Sequence, residues 1–108
     1  MKTSLPQMGY VVGLSITLAS VANPIAANEA LAQKHNCLLC HAVDKKVVGP
    51  AYKDIAAKYK GDPKALDTLV KKVKNGGSGV WGNIPMPPNS AVPDEDIKTL
   101  VQWILSLQ

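Results

Sequence analysis

The chain has 108 residues, room for one domain. Hydrophobic residues make up 46% and charged residues 19%, which excludes a disordered composition. The net charge of +4 is carried by lysine without any arginine, which argues against a nucleic-acid reader built on guanidinium forks, and two cysteines cannot form a disulfide scaffold.

The first predicted element is a targeting segment. Lys2 precedes an uncharged apolar run, Met8 to Val21, and Ala22 to Ala27 adds Pro24 and small residues before the polar Asn28. Basic, apolar and cleavage regions in that order read as an export signal, with cleavage after Ala27 or Ala26. The run is shorter than the roughly 20 residues of a membrane span, and an uncleaved N-terminal anchor is the competing reading. The predicted division is a signal peptide over 1–27 and one mature domain over 28–108. A domain of that size builds a marginal core and commonly needs a disulfide, a metal or a cofactor.

Four helices follow. Asn28 to His35 is helix-prone, with Asn28 as its cap and Glu29 in the first turn. Tyr52 to Tyr59 is short and closed by Gly61. Asp62 caps a third helix with Pro63 at its first position, and Leu66, Leu69, Val70 and Val73 form its apolar stripe before Asn75-Gly76-Gly77 ends it. The last begins near Asp94 and places Ile97, Leu100, Val101, Ile104 and Leu107 on one face. No strand alternation is visible, and Gly76 to Pro93 is rich in glycine and proline and irregular. The predicted class is all-α.

The chemistry is concentrated in Cys37-Leu38-Leu39-Cys40-His41, the C-x-x-C-H pattern of c-type haem attachment. Two thiols one helical turn apart match two neighbouring porphyrin vinyl groups, and the histidine that follows points at the iron from the same side. Three other readings compete. A redox C-x-x-C needs a βαβ context, which is not visible. A zinc site would have only Cys37, Cys40, His41 and His35, crowded together. A plain disulfide between Cys37 and Cys40 is open after export.

Met86 is the methionine left beyond the predicted cleavage point, and prolines on both sides in Asn83-Ile84-Pro85-Met86-Pro87-Pro88 forbid a helix and stiffen the loop. His–Met ligation favours ferrous iron, and with both axial positions filled no open site remains for oxygen chemistry. His35, two residues before Cys37, reads as a surface histidine. Near Gly49-Pro50 a backbone carbonyl can accept the His41 Nδ1–H and fix the ring. Trp81 has two readings, an N–H donor to a haem propionate or a packing residue. Trp103 reads as structural.

These residues resemble the small bacterial class I cytochromes c, of the cytochrome c-551 type. The likeness rests on CLLCH (37–41), VGPAYKDIAA (48–57), KNG (74–76), GVWG (79–82) and IPMPPN (84–89) and covers nearly the whole mature chain. It implies a fold of about four helices wrapped around one haem c, with Cys37 and Cys40 as covalent links and His41 and Met86 as axial iron ligands. It further implies the Pro50 carbonyl as partner of His41, Trp81 near a propionate, and Asn89 donating to the Met86 sulfur. Lys72 falls where relatives carry an arginine at a propionate. The segment from Asn89 to Pro93 is one residue longer than usual, with Pro93 in place of a hydroxyl cap.

The implied function is a periplasmic monohaem electron carrier, likened to respiratory cytochromes, with no enzymatic turnover, no small-molecule substrate and no nucleic acid. Donors would be respiratory complexes, and acceptors a nitrite reductase, a cytochrome c peroxidase or a terminal oxidase. The mature protein would be monomeric and free of the membrane. A lysine fringe around an exposed haem edge would steer acidic partners.

Overall fold

The computed structural model describes residues 2–19 and 24–107. Residues 2–19 form no helix or strand, and the large apolar side chains among them are 76–94% exposed, so this segment adds nothing to the core. The predicted cleavage segment lies partly outside the described residues, at 20–23.

Four helices make up the folded part: α1 (Pro24–Lys34), α2 (Tyr52–Lys58), α3 (Ala65–Asn75) and α4 (Asp94–Ser106), with a 3₁₀ turn over Cys37–Leu39. The described residues hold no β-strand, only two isolated antiparallel bridges, His41 with Lys46 and Gly77 with Met86. The all-α expectation holds.

Two helix starts differ from the sequence reading. Helix α1 begins at Pro24 rather than at Asn28, since proline lacks only an N–H that the first turn leaves unpaired anyway. Asn28 is therefore inside the helix. Helix α3 begins at Ala65, two residues after Pro63. Asp62 still uses its side chain locally, accepting the Lys64 N–H at 2.8 Å, but this closes a turn ahead of the helix.

Helix α4 is the element on which α1, α2 and α3 all pack. Asp94, Glu95 and Asp96 in its first turn complement the partial positive charge of the N-terminus. Its buried face carries Ile97, Leu100, Val101, Trp103 and Ile104, meeting Ala32 of α1, Tyr52 and Ile55 of α2 and Leu69 of α3. Leu107 is only half-buried and lies past the helix end. The stripe of α3 behaves differently, because Leu69 is buried while Leu66, Val70 and Val73 are half-buried. Leu69 and Val73 pack against the core and also line a cavity.

His35 is not a plain surface residue. Its Nε2 lies 2.9 Å from Asp96 Oδ2 with the histidine side chain only 14% exposed, tying the end of α1 to the start of α4.

Ile97 is fully buried at the centre of this packing. Ile97→Ala should cost about 2–5 kcal/mol of unfolding free energy in the haem-loaded protein, read from urea denaturation.

Candidate haem-binding cavity

The chain leaves α1 through Asn36, which sits in the left-handed region at φ 61° and turns the backbone sharply into the 3₁₀ turn. Asparagine tolerates this conformation better than most residues. The turn is closed by Cys40 N–H and His41 N–H, both donating to Cys37 O at 3.2 and 3.0 Å. Cys37, Cys40 and His41 are thereby presented on one short arc, and all three line one cavity of about 280 Å³.

The His41 ring is held from three directions. Its Nδ1 donates to Pro50 O at 2.7 Å, which leaves Nε2 as the nitrogen with a free lone pair. Its ring stacks on Tyr52, centroids 5.1 Å apart and planes 24° apart, and Tyr52 in turn meets Trp103 edge-on at 5.6 Å. Gly49 closes the third side, where an added Cβ would lie 2.6 Å from His41 Cε1. Only glycine allows that approach.

Met86 arrives from the other end of the chain. Its backbone pairs with Gly77, N–H to O at 2.8 Å and O from N–H at 3.0 Å. Gly76, at φ +69°, lets α3 end against this loop; a Cβ there would lie 2.8 Å from Pro88 N. Met86 lines the same cavity as His41.

Of the residues singled out from sequence, Cys37, Cys40, His41, Pro50, Lys72, Trp81 and Met86 all line this cavity. Trp81 is 43% exposed at its mouth, with Lys58 Nζ 5.5 Å from the ring centroid, so it is no core-packing residue. Lys72 is half-buried with its Nζ beside Gly77. Asn89 does not line the cavity. Its side-chain amide donates to Val73 O at 3.1 Å and Pro87 O at 3.3 Å, and its backbone N–H also reaches Val73 O. Both amide protons are thus committed to carbonyls, and its place here is behind the Met86 loop.

Sequence reasoning passed over Tyr52, the aromatic support of His41, and the cavity-facing role of Leu69, Val73, Leu100, Val101 and Ile104. The signal for the latter was present: two amphipathic helices offered more apolar surface than so short a chain can cover with itself.

These walls fit a large flat apolar group and fit the rival readings poorly. The cavity is far larger than a bare metal ion requires. Among the described residues no cluster of three or more His, Cys, Asp or Glu suits a metal. Both cysteines are free, so there is no disulfide. Burial pushes the Cys37 thiol up, only partly offset by a hydrogen bond with Tyr52, whereas a redox C-x-x-C works by a depressed thiol.

Two predictions follow from the support of His41. Gly49→Ala should cost about 1–3 kcal/mol in unfolding free energy and displace the imidazole, seen as a shift of its Nδ1–H resonance by NMR. Tyr52 concerns alkaline stability. Burial holds its phenol well above the usual tyrosine value of 10.0. Above that value the unfolded chain releases a proton that the folded chain keeps. Stability is therefore full below about pH 10 and falls as pH rises beyond it. Urea unfolding at increasing alkaline pH should show a decline approaching about 1.4 kcal/mol per pH unit that Tyr52→Phe removes.

Known proteins resemble this chain over the same residues. A family model described as cytochrome c matches residues 25–108. The chain is 55% identical over 94 residues to cytochrome c-551 of Allochromatium vinosum, spanning 87% of this chain and all of that one. Cytochrome c-552 of Nitrosomonas europaea is 56% identical over 88 residues, 82% of this chain and 85% of that one. The crystal structure of the wild-type Nitrosomonas europaea cytochrome c552 superposes with a TM-score of 0.72 at 57% identity, over 74% of this chain and 99% of that one. With its helices, its C-x-x-C-H turn and its cavity, this chain belongs to the cytochrome c family, as a small class I electron carrier with one covalently attached haem c at Cys37 and Cys40.

Proposed function

We propose that the mature protein is a periplasmic electron shuttle whose haem iron is held by His41 and Met86. The observation that carries this reading is the convergence of Cys37, Cys40, His41 and Met86 on one apolar cavity. Haem supplies an iron that takes up and releases one electron. The chain's own residues set the conditions for that exchange. Pro50 O holds His41 in one tautomer and one orientation, and Gly49 and Tyr52 confine the ring from either side. The bridge to Gly77 fixes the Met86 backbone, so its thioether is offered with little freedom. A rigid pair of ligands keeps rearrangement small when the charge changes, and it leaves no vacant position for a substrate. The protein accordingly turns over no substrate of its own. Lys72 and Trp81, both at the cavity wall, are placed to receive the polar edge of the porphyrin.

The apolar segment, together with the first residues of α1, acts as an export leader, removed after Ala27 or Ala26. None of residues 2–19 is buried, and although the cut also removes the first residues of α1, the core residue Ala32 of that helix lies beyond it. Among the described residues no helix is long and apolar enough to cross a membrane. The mature carrier works as a monomer between respiratory donors and a nitrite reductase, a cytochrome c peroxidase or a terminal oxidase. Val47, Val48, Val80, Trp81 and Ile84 are exposed large hydrophobics, and Val48, Val80, Trp81 and Ile84 line the cavity too, giving such partners an apolar landing area. Lysines on the surrounding surface steer acidic faces toward it.

Met86→Ala tests the ligand assignment. The wild-type ferric protein should show the weak thioether charge-transfer band at the red end of the visible spectrum, and the ferrous protein should resist carbon monoxide. The variant should lose the band, bind carbon monoxide and fall in reduction potential, while covalent haem content is unchanged. A variant with the wild-type spectrum, or a wild-type protein that binds carbon monoxide readily, overturns the assignment.

A further inference from the structure

The stretch between Met86 and α4 packs against the core only through the half-buried Val92, and it lacks a side-chain cap where α4 begins. Pro93 stands at the N-cap of α4, where it offers no side-chain acceptor, and no side-chain cap bond forms. The segment from Asn89 to Pro93 contains only one internal backbone bond, Val92 N–H to Asn89 O at 3.1 Å. Something outside the segment must hold it.

The C-terminal turn of α3 does so. A helix leaves its last carbonyls unpaired, and here Val73 O takes both the backbone N–H and the side-chain amide of Asn89, each at 3.1 Å. Lys74, the next residue, reaches the far end of the segment. Its Nζ donates to Val92 O at 3.0 Å and pairs with Asp94 Oδ1 at 2.8 Å. The Lys74 side chain is 32% exposed against 49% for Lys53 in its pair with Asp44, while its partner Asp94 is 83% exposed, so the shielding lies on the lysine and its bond to Val92 O. Gly77, three residues on, holds Met86 itself. Three attachment points on one helix end therefore grip the strap at Met86, Asn89 and Val92–Asp94.

We infer that Lys74 is a positioning residue for Met86: by spanning Val92 and Asp94 it pins the start of α4 to the end of α3 and keeps the methionine loop closed over the haem. This rests on the reading that Met86 ligates iron. Lys74 touches neither the cavity nor the sulfur. It acts by setting how often the strap lifts away, and a lifted strap exposes the sixth position.

The rate at which carbon monoxide combines with the ferrous protein measures that opening. In Lys74→Met the alkyl stem stays and the donor is lost, so the open population should rise and the rate should increase about fivefold, the worth of one part-shielded ion pair with its hydrogen bond. Lys74→Arg, which restores a cation and donors, should remain within about twofold of wild type. Lys53→Ala, which removes an equal charge and the exposed pair with Asp44, should leave the rate unchanged. Urea unfolding of each protein supplies the comparison that a purely structural role would dominate. For Lys74→Met the rate increase should exceed the rate increase caused by an equally destabilising variant elsewhere, Ile97→Val included.

If wild type lacks the thioether band, the Met86 reading and this inference fall together. If the band is present but Lys74→Met reacts no faster, or Lys53→Ala or Ile97→Val accelerates the reaction equally, the inference alone fails. Equal acceleration in Lys74→Arg also overturns it.

Discussion

The helices of this chain enclose a space that they cannot fill. Leu69 and Val73 of α3 and Leu100, Val101 and Ile104 of α4 all present apolar surface to the cavity. Protein-only burial is confined to a thin seam along α4, with no buried polar or charged residue among those described. A domain of this size has little stability to spare, and without a group seated among them these apolar walls would face water. The porphyrin is thus the missing part of the core, and linkage through Cys37 and Cys40 makes that part permanent. The seam along α4, the short turn between α1 and α2 and the long irregular loop after α3 all serve the same volume.

The two walls that meet there are built by different means. The His41 side is rigid by packing: an imidazole between a tyrosine face and a glycine, with one nitrogen bonded to a carbonyl. The Met86 side is rigid by stitching, since its loop packs on the core only through Val92 and otherwise hangs on backbone bonds to Gly77 and to the carbonyl end of α3. Proline on both sides of Met86 lowers the entropy of the loop before any of those bonds form. Packing confines an aromatic ring well. A flexible thioether has no flat face to clamp, so the chain constrains its backbone instead.

Much of this was legible in the sequence because it was local. Cys37, Cys40 and His41 share one turn, Met86 is flagged by its prolines, and the stripe of α4 repeats at helical spacing. The Pro50 contact, too, was open to inference from its distance to His41. What escaped was set by tertiary contact. Asn28 has the chemistry of a cap, yet in the full-length chain the helix runs through it because Pro24 starts one as well. Asn89 looked free to serve the methionine sulfur, but the unpaired Val73 carbonyl competes for its protons. His35 gave no sign of Asp96, which is distant in sequence and arrives with the packing of α4 on α1. Tyr52 reads as one apolar residue of a short helix until the His41 ring lies upon it.

The two tryptophans stand at opposite depths of this architecture. Trp103 is buried, edge-on to Tyr52 and through it one ring away from His41, whereas Trp81 is nearly half exposed at the cavity mouth beneath a lysine. A haem in the cavity would quench the emission of both by energy transfer while the chain is folded. Unfolding would carry each away from the haem, Trp81 with the loop after α3 and Trp103 with the α4 seam. The protein therefore carries its own pair of optical gauges of unfolding, which need no label to be read separately in single-tryptophan variants.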